Sequence, residues 1–192
     1  HPIDENIFYA ESQRGNIGVT LDGGKTFESA REGIENSDRK NWDMPYIMSS
    51  HNPDILFTGT HRVYKSDAGP IPQWKAISAD LTNGETDDLR QTISTLHQSP
   101  LDKAILYVGT TDGNLWSTNN GGTNWKPLLG LPQRYFTEVV ASADNQATVF
   151  ATVSGYKDNE NTPHIYQSDD NGSTCIRLQE TYPLWLLMLY KS

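Results

Sequence analysis

Four short clusters of Asp, Asn, Gly and hydroxyl residues are the first places in this chain where side chains could do chemistry. They read Thr20-Leu21-Asp22-Gly23-Gly24-Lys25-Thr26-Phe27, then Ser66-Asp67-Ala68-Gly69 with Trp74 a little further on, then Thr118-Asn119-Asn120-Gly121-Gly122-Thr123-Asn124-Trp125, then Ser168-Asp169-Asp170-Asn171-Gly172-Ser173-Thr174-Cys175. A run such as Asp169-Asp170-Asn171-Gly172 has the oxygen atoms a calcium ion takes. It lacks the alternating ligands and the distal Glu of an EF-hand loop. The residue types suit another task. Asp22 or Asp170 can accept hydrogen bonds from the N–H groups of its own turn, and glycine reaches backbone angles that a side chain forbids. The expectation is therefore structural, with no metal, for Thr20, Asp22, Gly24, Ser66, Asp67, Gly69, Thr118, Asn120, Gly122, Ser168, Asp170 and Gly172.

Other chemistries find little support. His51, His61, His97 and His164 are scattered without the spacing of a zinc site. No phosphate loop, nucleophile elbow or paired-Cys motif occurs, and no cofactor is expected. Glycoside hydrolysis needs two facing carboxylates; Asp43, Asp87, Asp88 and Glu138 are present, but nothing in the sequence brings two of them together. The formal charge of −9 on 192 residues excludes the basic surface that nucleic acid requires. The one cysteine, Cys175, allows no internal disulfide. The apolar stretch from Leu184 to Tyr190 is too short to span a bilayer, so no membrane insertion is expected.

The clusters must be carried by strands. They begin at residues 20, 66, 118 and 168, so the steps are 46, 52 and 50 residues, a period in the range of propeller blades. Upstream of each lies an apolar strand: Ile7–Ala10, Ile55–Thr60, Ile105–Thr110 and Val149–Thr152. A shorter strand then runs into the cluster: Val63–Lys65, Leu115–Ser117 and His164–Gln167. In three units another strand comes first: Tyr46–Met48, Ile93–Leu96 and Val139–Ala141. Four short strands per unit, rich in β-branched and aromatic residues, predict an all-β propeller with four blades, the first incomplete. Their bounds are about 1–41, 42–90, 91–134 and 135–178. Each cluster is the hairpin between the third and fourth strands. The aromatic after it (Phe27, Trp74, Trp125) is expected to bury its ring between blades.

These clusters resemble the Asp-box, or BNR, repeats of sialidases, sortilin-type receptors and xyloglucanase-type glycoside hydrolases. The likeness is closest to large secreted bacterial BNR-repeat proteins. It rests on the four boxes, on strands such as Tyr107-Val108-Gly109-Thr110, and on Trp74 to Thr82, and covers about residues 1–176. The resemblance implies a β-propeller and an extracellular or periplasmic location. It is specific for architecture and weak for activity, because the box recurs in proteins of unrelated function. The sialidase set of three arginines and a nucleophilic tyrosine is not matched. Propellers of this kind take ligands at the mouth of the central channel, just before each innermost strand. Those positions are Trp42 and Asp43, Arg90 and Gln91, and Arg134 and Tyr135. Of these, Trp42, Asp43, Arg90, Arg134 and Tyr135 are the candidate ligand-binding residues. Their rings and guanidinium groups suit stacking on sugars or anchoring a peptide.

The ends depart from the pattern. The chain opens at the turn His1-Pro2, which in later units follows a strand, as though it were cut inside a blade. After Cys175, where the pattern calls for Trp, residues 179–192 form an atypical tail. Two expectations stand for it: a frameshift near Cys175, since a one-nucleotide shift with permitted codons restores both the box and the next strand, or a closing strand. Missing blades or a homodimer would complete the ring. The functional expectation is a noncatalytic propeller segment that binds polysaccharide or protein. The alternatives are part of a glycoside hydrolase, or a scaffold.

Overall fold

A computed structural model describes residues 1–84, 91–156, 159–160, 162 and 164–178. It is all-β. Fifteen strands form among these residues: β1 (Phe8–Glu11), β2 (Ile17–Thr20), β3 (Glu28–Ser29), β4 (Tyr46–Met48), β5 (Leu56–Gly59), β6 (Val63–Ser66), β7 (Lys75–Ala76), β8 (Ile93–Gln98), β9 (Leu106–Thr110), β10 (Leu115–Thr118), β11 (Lys126–Leu128), β12 (Tyr135–Ala141), β13 (Val149–Ser154), β14 (His164–Ser168) and β15 (Ile176–Arg177). They make four antiparallel meanders: β1-β2-β3, β4-β5-β6-β7, β8-β9-β10-β11 and β12-β13-β14-β15. These are blades of the expected propeller, and the first has three strands.

The sheets stack through three separate apolar clusters, one per seam. Ile17, Val19, Leu56, Tyr64 and Trp74 join the first and second sheets. Phe57, Val63, Ile93, Leu106 and Val108 join the second and third. Tyr107, Leu115, Phe136, Val139 and Val149 join the third and fourth. Successive side chains of a strand point to opposite faces, so Leu56 faces the first sheet while its neighbour Phe57 faces the third. Leu106 and Tyr107 divide the same way. Strands β5 and β9 are therefore buried along their whole length, which is why they read as apolar runs without alternation.

The glycine of the Thr-Gly-Thr and Val-Gly-Thr strands has a steric reason. A Cβ on Gly59 would lie 2.5 Å from Ile93 Cγ2, and one on Gly109 would lie 2.6 Å from Phe136 Cβ. Only a missing side chain lets the first strand of the next sheet come so close. Strand β8 accordingly packs on β4 and β5 to one side and on β12 to the other. Both β8 and β12 carry a register shift near their starts, between Ile93 and Thr95 and between Phe136 and Glu138.

The boxes are hydrogen-bonded turns. Thr20 Oγ1 accepts the Gly24 N–H at 2.9 Å, and Asp22 Oδ1 accepts the N–H groups of Lys25 and Thr26, each at 2.9 Å. Asp22 Oδ2 takes the Thr26 hydroxyl at 2.8 Å. The fourth box repeats this with Ser168, Asp170, Gly172 and Thr174. The third does so with Asn120, whose amide oxygen accepts the Asn124 N–H at 2.9 Å. In the second box the position two beyond the hydroxyl is Ala68. Asp67 sits one place early and pairs instead with Lys65 at 3.1 Å. Ser66 Oγ still gathers the turn, accepting the N–H groups of Ala68 and Gln73.

The aromatics after the boxes divide. Trp74 is 4 % exposed and its indole N–H donates to Ala30 O of the preceding sheet at 2.8 Å. Trp125 makes the same bond to Ile77 O at 2.9 Å. Phe27 departs from the expected burial: it is 51 % exposed and makes an edge contact with Phe8 at 5.7 Å. Its ring lies on the face of the first sheet turned away from the second, with no described sheet to receive it. The tail, residues 179–192, lies outside the described residues.

Candidate functional site

The first candidate region is built by the segment that leads from β3 to β4. This segment is irregular, so side chains must hold it. Asp38, fully buried, is the central anchor. Its carboxylate accepts the Thr60 and Tyr64 hydroxyls at 2.8 and 2.7 Å and the Arg62 guanidinium at 2.9 Å. Burial, and then the bond to Asp38, raises the Tyr64 phenol to about 12. Arg39 reaches further: Nε donates to Gln91 O at 3.1 Å, and Nη2 donates to Asp80 and Thr82 at 2.6 and 2.9 Å. The segment is thereby tied to the start of the third sheet.

Next along the chain, Asn41 crosses toward the later sheets. Its Nδ2 lies 3.5 Å from Ile93 O and 3.5 Å from the Tyr135 hydroxyl. Trp42 follows and is 64 % exposed. The Arg14 guanidinium lies 5.6 Å from the centre of its ring, and the Arg14 N–H donates to Trp42 O at 2.8 Å. A cation over one part of the indole fixes its orientation and leaves most of the ring in solvent. Beneath this loop Glu11 Oε1 accepts the N–H groups of Gly15 and Met44 at 2.6 and 3.2 Å. Glu11 Oε2 is buried without a hydrogen bond. Burial pushes this carboxyl above the usual range, the nearby Asp43 charge adds to the rise, and the two amides oppose it. Glu11 braces the loop; its free oxygen is not offered to solvent.

The second region surrounds Arg134, just before β12. Its guanidinium pairs with Glu160, and Nη1 lies 2.9 Å from His164 Nε2. The same His164 nitrogen lies 2.9 Å from Glu160 Oε1. Burial, then the charges of Arg177 and Arg134, lowers the affinity of His164 for a proton. Arg134 is thus engaged with its own sheet.

Of the residues selected from sequence, Trp42 and Tyr135 are brought to one region through Asn41, with Asp43 exposed beside them. Arg134 adjoins Tyr135 in sequence but is committed to Glu160 and His164. Arg90, with Asp87 and Asp88, lies outside the described residues. Sequence reasoning missed Asn41, Arg14, Glu11 and Asp38. Asn41 carried a signal, since it precedes Trp42 at the same junction. Arg14 and Glu11 carried none, since Glu11 ends β1 and Arg14 lies in the turn after it. Among the described residues no three His, Cys, Asp or Glu side chains converge to hold a metal ion.

No family profile and no curated protein matches the chain. Solved structures do. The GH74 xyloglucanase from Xanthomonas campestris is 17 % identical with a TM-score of 0.69, over 95 % of this chain and 30 % of that one. The GH74 enzyme of Niastella koreensis is 18 % identical with a TM-score of 0.65, over 93 % and 29 %. YCF48 bound to D1 peptide is 16 % identical with a TM-score of 0.56, over 93 % and 53 %. The class these likenesses define is the β-propeller. More particularly, the described sheets fit a stretch of a GH74-like propeller. The chain spans less than a third of the GH74 chains and about half of YCF48.

Proposed function

We propose that this chain is a noncatalytic propeller segment that binds polysaccharide at the channel mouth, in a protein working outside the cytoplasm. The observation that carries the reading is Trp42, which holds most of an indole in solvent while Arg14 and the Glu11 brace fix it in place. A pre-oriented aromatic surface stacks on a sugar ring at little entropic cost. Asn41, Asp43 and Tyr135 supply hydrogen-bonding groups around it. The GH74 likeness makes xyloglucan oligosaccharides the probe to try first.

The test is calorimetric titration of the chain with these oligosaccharides and with an unrelated peptide. Trp42→Ala is expected to weaken oligosaccharide binding about tenfold or more and to leave the melting temperature unchanged. Binding indifferent to Trp42→Ala overturns this placement, and binding of the peptide alone moves the site to a protein ligand. A second reading, part of a glycoside hydrolase, is favoured by the exposed carboxylate of Asp43, next in the chain to Trp42. Release of reducing ends that Asp43→Ala abolishes establishes that reading instead.

A further inference from the structure

At the box end of the seam between the third and fourth sheets lies a cleft of about 520 Å³. Its walls include Tyr107, Ser117, Asn119, Asn124 and Trp125 from the third sheet, and the turn of the fourth box. We infer that this cleft is a second binding site, separate from the channel mouth, and that its ligand is a neutral oligosaccharide.

The cleft has the size of a small-molecule site, roughly 300–1,000 Å³. It arises from one change in the repeat. In the second sheet the cross-strand partner of Phe57 is Lys65, a long side chain that pairs with Asp67. At the same register in the third sheet the partner of Tyr107 is Ser117. The shorter Ser117 side chain lines the cleft at the register that Lys65 holds one sheet earlier.

The polar groups left there suit a polyol. Tyr107 is 1 % exposed, yet its hydroxyl has no hydrogen-bond partner among the described residues, and it lines the cleft. Its ring is buried while the hydroxyl opens into the cleft, where it can donate to or accept from a ligand hydroxyl. The side-chain amides of Asn119 and Asn124 are likewise without partners among the described residues. Trp125 is anchored through its N–H to Ile77 O, so its ring is a fixed wall.

The charged groups argue for a neutral ligand. The Asp102 carboxylate is occupied by the Ala104 N–H at 2.9 Å and by Gln146 at 3.1 Å. Asp170 is occupied by its own turn. Two carboxyl groups thus line the cleft against a single lysine, Lys126, so an acidic sugar is disfavoured. Fixed aromatic walls with amide and hydroxyl groups fit the alternating faces and hydroxyls of an uncharged sugar chain.

The test is an NMR titration of the intact 192-residue chain with cellotetraose and, in parallel, with tetragalacturonate. Cellotetraose is expected to shift the side-chain amide signals of Asn119 and Asn124 and the indole signal of Trp125. Ser117→Lys, which restores the second sheet's residue, is expected to weaken this response about tenfold or more without changing the melting temperature. Trp42→Ala is expected to leave it intact, so its failure and that of the mouth site are read separately. Asn124→Ala is a second variant, on an exposed side chain, for the case in which Ser117→Lys lowers the melting temperature; it too is expected to weaken the response. Silence of all three signals overturns the inference. So does a response that survives both cleft variants, or one given by tetragalacturonate alone.

Discussion

The seam between the first two sheets and the seam between the last two share a register and are closed differently. In the first, Trp74 is locked by its indole N–H to Ala30 O and is almost wholly buried. In the last, the same place after the box holds Cys175, a half-buried thiol. The last seam compensates nearer the axis. Strand β12 spans seven residues where β4 spans three, and Phe136, fully buried, fills the space over Gly109. Cohesion between two sheets can thus be placed at the outer edge, by one large ring, or along the inner strands, by many smaller contacts. The box glycine packs closely at the middle and last seams: a Cβ on Gly122 would meet Ile77 Cδ1 at 2.7 Å, and one on Gly172 would meet Leu128 Cδ2 at 2.0 Å.

Three measurements break or sharpen this comparison. The largest effect belongs to Trp74→Ala, expected to destabilise by about 3–5 kcal/mol in chemical denaturation, because a full indole and its hydrogen bond leave a closed seam. A cost below about 1 kcal/mol, the level of an ordinary surface change, would place the cohesion of the first seam elsewhere. Cys175→Trp should act in the opposite direction and stabilise by about 1–2 kcal/mol through added apolar burial; lowered stability would show that the last seam is spaced too tightly for a ring. The smallest effect separates the boxes themselves. The bonds from Thr26 and Thr20 lower the Asp22 carboxyl from 3.8 to about 2, and those from Thr174 and Ser168 do the same for Asp170. A carboxyl whose proton affinity is lowered by folding contributes stability above its unfolded value, and that contribution is lost as pH falls through about 2. Asn120 has no proton to gain. As pH falls through about 2, the amide signals of Thr26 and Thr174 should therefore titrate while that of Asn124 stays flat. Three parallel titrations would refute the assignment.

The architecture was legible because it is periodic. Hydroxyl, acid and glycine recur with the box, and apolar strands recur upstream, so each unit supports the next. Local chemistry also explains where periodicity misled. Asp67 sits one residue off register, so it serves Lys65 and not the turn. Phe27 has the right type and place, but a ring needs a neighbouring sheet to be buried, and residue type does not supply one. The candidate site was legible only in part. Trp42 and Tyr135 stand at junctions that the strand pattern marks. Arg14 reaches Trp42 from the turn after β1, Glu11 holds Met44 from the end of that strand, and Asn41 meets a residue 94 positions away. Such meetings depend on how sheets stack, and no spacing in the sequence encodes them. The pairing of Arg134 with Glu160 and His164 escaped notice for the same reason.

The three apolar clusters have a consequence for descent as well as for stability. Each seam keeps its own set of side chains; the second and third sheets each meet the next over a bare glycine, and the first and second each offer the next a carbonyl beyond the last strand. Stability in such an array is close to a sum of units and of nearest-neighbour seams. A lineage built this way can lengthen by copying one unit of about fifty residues, and a damaged unit, such as the one around Ala68, burdens only its two neighbours. Change can then accumulate one seam at a time, as Cys175 and Ser117 record, while the rest of the array goes on folding.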